Sequence, residues 1–288
     1  MVDLSSYISR CQFPSEGNPI NCAVSGGADS VALMILAKYA RCEVTVYHVN
    51  HNLRKESEAD FVKELAERFE LKFVSCQVTV APGPNLEARA REKRFKVLPE
   101  LVATGHTMDD QVETFFINLL RGSSLKGLSG MELSFDHPML NLRRSETEAI
   151  VKSFNIVPFK DPSNSDLKYL RNKIRHTLIP MLNEMSNRDI VPVIARQMNL
   201  MRQDNEYLEQ VATGVQATDV KVLRGLHKAI SSRALRALLT YDNGYLPSEQ
   251  DIDKVYGVVN LEHEATQIKN GTIVKRSSGK LKIEKQLK

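Results

Sequence analysis

The sequence predicts an α/β fold: a parallel, doubly wound sheet, then a smaller, mainly helical domain ending in a β-hairpin. Three observations carry this. Strand-like and helix-like segments alternate through the first half, a glycine pair joins the first strand to the first helix, and strand signals then fade until the basic end of the chain. Pro19 to Val24 is a short apolar run leading into Gly26-Gly27, and Ser30 to Ala40 has helical spacing through Val31, Met34, Ile35 and Lys38. Glu43 to Val49 reads as a strand, Glu58 to Phe69 as a helix through Phe61, Leu65, Ala66 and Phe69, and Lys72 to Val80 as a third strand. Ala81 to Pro84 is a loop, Leu86 to Val97 a charged helix and Leu101 to Thr104 a short strand. Asp109 to Leu120 is a helix with Val112, Phe115, Phe116 and Leu119 on one face. In such a sheet, ligands gather beyond the carboxyl ends of the strands.

After a loop at Lys160 to Asp166, helices are expected over Leu170 to Glu184, Asp189 to Thr213 and Val222 to Thr240, with a hairpin over Gly271 to Glu284. A boundary near Asn183 to Asn187 divides the chain into a catalytic domain, 1–185, and a second domain, 186–288. A chain of 288 residues, with 42% apolar and 26% charged residues, is ordinary for a globular protein and excludes collagen, coiled coil and bulk disorder. No apolar run is long enough to cross a membrane, and no export signal precedes the first strand, so a cytoplasmic location is expected. A net charge of +4 permits a nucleic-acid partner without demanding one. Cys11, Cys22, Cys42 and Cys76 form no Cys-x-x-Cys pair, which speaks against a zinc ribbon or a local iron–sulfur site.

Five clusters carry the chemistry. Ser25-Gly26-Gly27-Ala28-Asp29-Ser30 follows a strand and opens a helix, an arrangement that aims backbone amides and a partial positive charge at an anion. It is not a Walker loop, and Asp29 calls for a bridging cation such as Mg²⁺. His48 and His51, three apart at the end of the second strand, suit a metal or a nucleotide, or simply a loop that bonds to itself. Glu87, Arg91 and Arg94 share a helix face. Gly105-His106-Thr107-Met108-Asp109-Asp110-Gln111-Val112-Glu113 places three carboxylates near the phosphate loop, which again asks for a cation, either a lysine substrate or Mg²⁺. Arg171 and Arg175, four apart, project together and suit a phosphate backbone.

These clusters resemble one family. Ser25 to Ser30 is similar to the Ser-Gly-Gly-x-Asp-Ser loop of the N-type ATP pyrophosphatases (the PP-loop superfamily). His48 to Arg54 resembles the HVNHGLR segment of tRNA(Ile)-lysidine synthetases, with Asn52 in place of glycine. Asn85 to Phe95, Gly105 to Thr114, Arg121 to Met131, the Pro138 to Arg144 stretch and Asp161 to Arg175 resemble further motifs of that family. Thr107 stands for its second histidine, Ser124 for a glycine and His137 for an arginine. The resemblance implies an ATP-dependent ligase that joins free L-lysine to the 2-carbon of the wobble cytidine of a tRNA(Ile) with a CAU anticodon. The route is an adenylated cytidine, with AMP and pyrophosphate as by-products. It implies ATP contacts from Ser25, Gly26, Gly27, Ala28, Asp29, Ser30, His48 and His106, with Mg²⁺ at Asp29. Asp29, Arg91, Asp110 and Glu113 are expected in catalysis, Asp110 and Glu113 on the lysine, and Arg94, Arg171 and Arg175 on the tRNA. A homodimer is compatible with this reading. The alternatives are a tRNA thiolation enzyme with the same ATP loop, and a non-catalytic RNA-binding sensor of ATP.

Overall fold

A computed structural model of the chain describes residues 3–50, 57–78, 89, 93, 96–159, 166–243 and 246–284. The chain divides into two compact units, Met1–Asn199 and Leu200–Lys288.

The first unit opens with a short helix, α1 (Ser5–Ile8), and continues as β1 (Pro19–Ala23), α2 (Ala28–Tyr39), β2 (Glu43–Asn50), α3 (Ser57–Arg68) and β3 (Lys72–Gln77). The three strands are parallel, in the order β1-β2-β3. The segment expected as a fourth strand, Leu101 to Thr104, pairs with the sheet at one position, a parallel bridge between Ala103 and Cys22. Around it the Ala103 amide donates to Asn21 at 2.7 Å, whereas the Thr104 amide turns away to the Asp136 carbonyl at 2.8 Å. The segment lies on the side of β1 away from β2, so the strand order reverses at β1, and a crevice forms where it reverses.

Helix α2 packs on β1, β2 and a later helix. The helical spacing of Ser30 to Ala40 holds, and every residue from Ser30 to Ala37 is buried. Apolar residues on all sides permit this, as expected for a central helix of a layered fold.

Beyond the crevice lie α4 (Met108–Leu120), α5 (Leu125–Leu128) and α6 (Arg144–Ser153). The apolar stripe of α4 is buried only toward its amino-terminal part, where Val112 forms a small core with Ile174, Ile179 and Val191 and Phe116 packs against it. Leu119 is 49% exposed, and the buried residues are Asp110, Gln111, Val112 and Glu113 at the amino-terminal end. The expected Leu170 to Glu184 helix is α7 (Leu170–Lys173) and α8 (Ile179–Ser186), joined through a π-helical turn, Ile174–Leu178. It stops where Asn187 adopts a left-handed conformation, φ +50°. Helix α9 spans Ile190–Thr213.

In the second unit, the expected Val222 to Thr240 helix is two helices, α10 (Val220–Gly225) and α11 (Lys228–Asn243). Leu226 is extended between them, and His227 Nδ1 accepts the Ala229 amide at the new helix start. Two further elements were not expected: α12 (Glu249–Val259), entered through a Ser248/Asp251 capping box, and β4 (Ala265–Gln267). Strand β4 joins β5 (Ile273–Ser277) and β6 (Lys280–Glu284) in an antiparallel sheet, so the terminal hairpin is two strands of three. Ser278 and Gly279, both at positive φ, make its two-residue turn. Leu223, Leu235, Val255, Val258 and Val274 form the core of this unit.

Candidate active site

The phosphate-type loop sits at the crevice. Gly26 has φ +87°, a conformation that L side chains rarely adopt, and its carbonyl accepts the Phe159 amide at 2.9 Å. Gly27 caps α2 with extended backbone and no side chain. The first-turn amides of a helix have no intrahelical acceptor, so they and the helix dipole face whatever binds here. Ser30 Oγ donates to the Gly27 carbonyl at 2.9 Å and accepts the Ser25 amide at 3.1 Å, which closes the loop on itself. Gly105 packs against this start from across the crevice. A Cβ there would lie 2.8 Å from the backbone carbonyl of Asp29 and 2.9 Å from the Ser30 nitrogen, so only glycine permits the approach.

Of the three carboxylates expected near the loop, Asp110 and Glu113 join Asp29 there while Asp109 does not, and arginines supply the cations. Arg144, at the start of α6, spreads its guanidinium over all three: Nε on Asp29 at 3.3 Å, Nη2 on Asp110 at 2.9 Å and Nη1 on Glu113 at 3.1 Å. Thr147, one turn on, donates its hydroxyl to the other oxygen of Asp29. Glu113 has no exposed side-chain surface and also holds Arg175 through both oxygens, at 2.6 and 3.0 Å, and Arg171 at 2.7 Å. Three carboxylates thus meet three guanidiniums. The expectation that a bound lysine or Mg²⁺ must supply this charge is therefore corrected. The sequence hides the answer because the cations stand 31 to 62 residues beyond Glu113. Arg171 and Arg175 turn inward on Glu113 from one face of the helical run, which their four-residue spacing permits. Asp109 is held apart from this cluster by Arg143, at 3.1 Å.

Asp110 is fixed by its own helix start, where Oδ2 accepts both the amide and the hydroxyl of Thr107 at 2.9 Å. Burial pushes the Asp110 carboxyl up, but Arg144, Arg171, the Thr107 amide and His106 outweigh burial and hold it below the ordinary value. Asp29 goes the other way. Burial raises its carboxyl, and Arg144 and Thr147 do not fully offset that. Burial also works against the charge of Arg144, yet Asp110, Glu113 and Asp29 together hold its pKa above the ordinary value.

His48 is buried, with Nδ1 2.8 Å from the Val24 carbonyl, and so braces the entry to the loop. His106 Nδ1 meets the Thr104 hydroxyl at 2.7 Å. Arg91 and Arg94, like His51, Asn52, Glu87 and the Asp161 to Ser165 stretch, lie outside the described residues. Arg144 and Thr147 are the residues that motif reading undervalues. The adjacent Arg143-Arg144 pair is the signal, since buried carboxylates demand cations.

A family model described as a PP-loop domain matches residues 3–182. A tRNA(Ile)-lysidine synthase of Rhodococcus erythropolis is 34% identical, covering 75% of this chain and 72% of that protein. One of Orientia tsutsugamushi is 34% identical, covering 78% of this chain and 59% of that protein. The U34-tRNA thiolase NcsA from Methanococcus maripaludis, solved with its [4Fe-4S] cluster, superposes with a TM-score of 0.55 over 69% of this chain and 79% of that chain. At 14% identity that likeness concerns the fold alone. The chain therefore belongs to the tRNA(Ile)-lysidine synthase family of PP-loop proteins.

Proposed function

We propose that this chain uses ATP to adenylate the 2-oxygen of the wobble cytidine in a tRNA(Ile) with a CAU anticodon, then joins free L-lysine to the 2-carbon, releasing AMP. One observation carries the reading: a single guanidinium, that of Arg144, touches the nucleotide-loop carboxylate Asp29 and the acidic pair Asp110 and Glu113. A phosphate cradle and an amine-binding pair are thereby neighbours, as a reaction between an adenylate and an amine requires.

In this reading the triphosphate lies across Ser25 to Ser30, against the amides of the α2 start and the hydroxyls of Ser25 and Ser30. Among the described residues no group of three or more His, Cys, Asp or Glu side chains could enclose a metal. Asp29 alone suits Mg²⁺, which commonly takes one or two carboxylates and completes its shell with substrate phosphates and water. When bound, Mg²⁺ would neutralise the triphosphate and its pyrophosphate leaving group. Asp110 and Glu113 receive an ammonium group of lysine by sharing their guanidinium partners. Arg171, with 32% of its side chain exposed, is the partner best placed to turn toward tRNA phosphate. Positioning carries most of the work, and the target base leaves its stack to reach the crevice.

The test is incorporation of labelled lysine into a tRNA(Ile) transcript with a CAU anticodon, with ATP and Mg²⁺ present. A methionine tRNA with the same anticodon is the control. Incorporation into the first alone is the expected result. No incorporation by protein shown to bind ATP would overturn the reading.

A further inference from the structure

Thr104 stands two residues before His106, where the backbone leaves its bridge to β1. Its hydroxyl meets three groups: His106 Nδ1 at 2.7 Å, His137 Nδ1 at 2.8 Å and the Asp136 carbonyl at 3.0 Å. The two rings meet edge to face, with centroids 5.0 Å apart and planes at 87°.

The protons can be counted. A backbone carbonyl has none to give, so the contact with Asp136 must use the one proton of the Thr104 hydroxyl. The hydroxyl oxygen then has two lone pairs left for two imidazole nitrogens, and each nitrogen must bring its own proton. Any other assignment leaves one close contact between two lone pairs. Both neutral rings are thereby Nδ1–H tautomers, and Nε2 is the acceptor in each. This is the opposite of the form that an unconstrained histidine prefers in water.

We infer that Thr104 is a positioning residue that fixes the tautomers of His106 and His137, and that Nε2 of His106 takes the proton from the incoming amine. The second half rests on the lysine-joining reaction proposed above. That reaction needs a neutral amine, and the carboxylates are poorly suited to free it. Both oxygens of Glu113 accept from guanidiniums, and both oxygens of Asp110 are engaged by Arg144 and Thr107. Asp110, held low by its surroundings, resists taking a proton. His106 stands between Gly105, which packs on the start of α2, and Thr107, which is bonded to Asp110, so an imidazole with a basic Nε2 at this position is the better acceptor. In the step, an N–H bond of the lysine ε-ammonium breaks and an N–H bond forms at His106 Nε2. The electron pair left on the amine forms the bond to the 2-carbon, the bond from that carbon to the adenylate oxygen breaks, and AMP leaves while its phosphate takes the second proton shed by the attacking nitrogen. Nδ1–H stays on the Thr104 oxygen throughout.

The first experiment reads tautomers directly, by two-bond ¹H–¹⁵N correlation on histidine-labelled full chain, with signals assigned from H106Q and H137Q spectra. The wild type should show protonated Nδ1 and bare Nε2 in both rings. Thr104→Ser should keep that pattern and Thr104→Val should lose it for His106. A wild-type His106 protonated at Nε2, or a pattern unchanged in Thr104→Val, overturns the assignment. The second experiment is rapid quench with ATP and tRNA, following pyrophosphate in the first turnover and lysine-dependent AMP release. In Thr104→Val the ratio of AMP release to the pyrophosphate burst should fall about tenfold or more, and Thr104→Ser should restore it. An unchanged ratio with an altered tautomer overturns the role given to His106. If the wild type makes no pyrophosphate, the reaction reading fails while the tautomer result stands on its own.

Discussion

Helices α2 and α4 both start at the crevice, and they are built on opposite plans. Helix α2 is buried all round from Val31 to Ala37 by apolar residues, and beyond the Asp29 carboxylate and the Ser30 hydroxyl its contribution to the site is backbone: the amides of its first turn, entered through the bends at Gly26 and Gly27. Helix α4 buries charge and contributes side chains, Asp110 and Glu113. An apolar helix is held by surface removed from water, which asks only for many modest contacts. A helix with a buried glutamate is held by a few specific partners, and losing one leaves an uncompensated charge. The polar end of α4 is therefore the more brittle part of the molecule.

The largest effect is expected where that contrast is sharpest. Glu113→Gln removes the charge that faces Arg144, Arg171 and Arg175 and should cost about 3–5 kcal/mol, read by chemical denaturation. Ile35→Ala, at a fully buried position of α2, should cost about 2–5 kcal/mol through a cavity. The two losses separate in ligand titrations. Ile35→Ala should leave ATP binding intact in the protein that remains folded, and Glu113→Gln should abolish the response to lysine.

Gly105→Ala tests the backbone plan. The new Cβ would press on the Asp29 carbonyl and the Ser30 nitrogen, neither of which can yield without moving the loop. A loss of about 1–3 kcal/mol is expected, with ATP affinity weakened more than lysine affinity, by titration with a non-hydrolysable analogue.

These sites differ in how far the sequence reveals them. The β1–loop–α2 unit is legible because its logic is local: an apolar run, two glycines, then a helix within about twenty residues. The charge cluster is only half legible. Asp110 and Glu113 stand in a recognisable run, but their partners arrive from Arg144, Arg171 and Arg175, and nothing in a local pattern says which arginine turns inward. The stripe on α4 is core at Val112, with Phe116 packed beside it, but not at its far end. Periodicity reports which residues are apolar, and Leu119 is apolar but 49% exposed, because the packing around α4 is concentrated at its other end. The break at Leu226 and the single bridge at Ala103 have no local sequence signal, because each depends on one backbone group finding a distant or unusual partner.

Acid should act on the two plans in sequence. The Asp29 carboxyl is raised in the folded state, so between its ordinary value of 3.8 and its folded value the folded state binds more protons than the unfolded one. Lowering the pH through that window should therefore add a little stability. Asp110 is depressed, so its contribution is present above 3.8 and is lost as the pH falls through its lower folded value. Melting temperatures measured from pH 7 downward should hold or rise slightly, then fall below the ordinary carboxylate range. Asp29→Asn should flatten the first part, and a monotonic fall in the wild type would contradict the assignment of Asp29.

The smallest effect is the most direct test of the helix contrast. Leu119→Ser sits on the stripe that the sequence marks as core and should change stability by no more than about 0.5 kcal/mol, by the same denaturation assay.

The Thr147–Asp29 contact joins residues 118 positions apart, and the Gly26 carbonyl waits for the amide of Phe159. On the ribosome, chains grow by about 5–20 residues each second, so the loop is made many seconds before the groups that hold it. The amino-terminal strands and α2 can collapse on their own apolar surfaces in that interval. Asp29 stays without Arg144 and Thr147 until α6 has emerged, and the carboxylates of α4 stay without their full set of cations until Arg175 has followed. The nascent chain thus passes through a stage with a formed sheet and an open, negatively charged crevice.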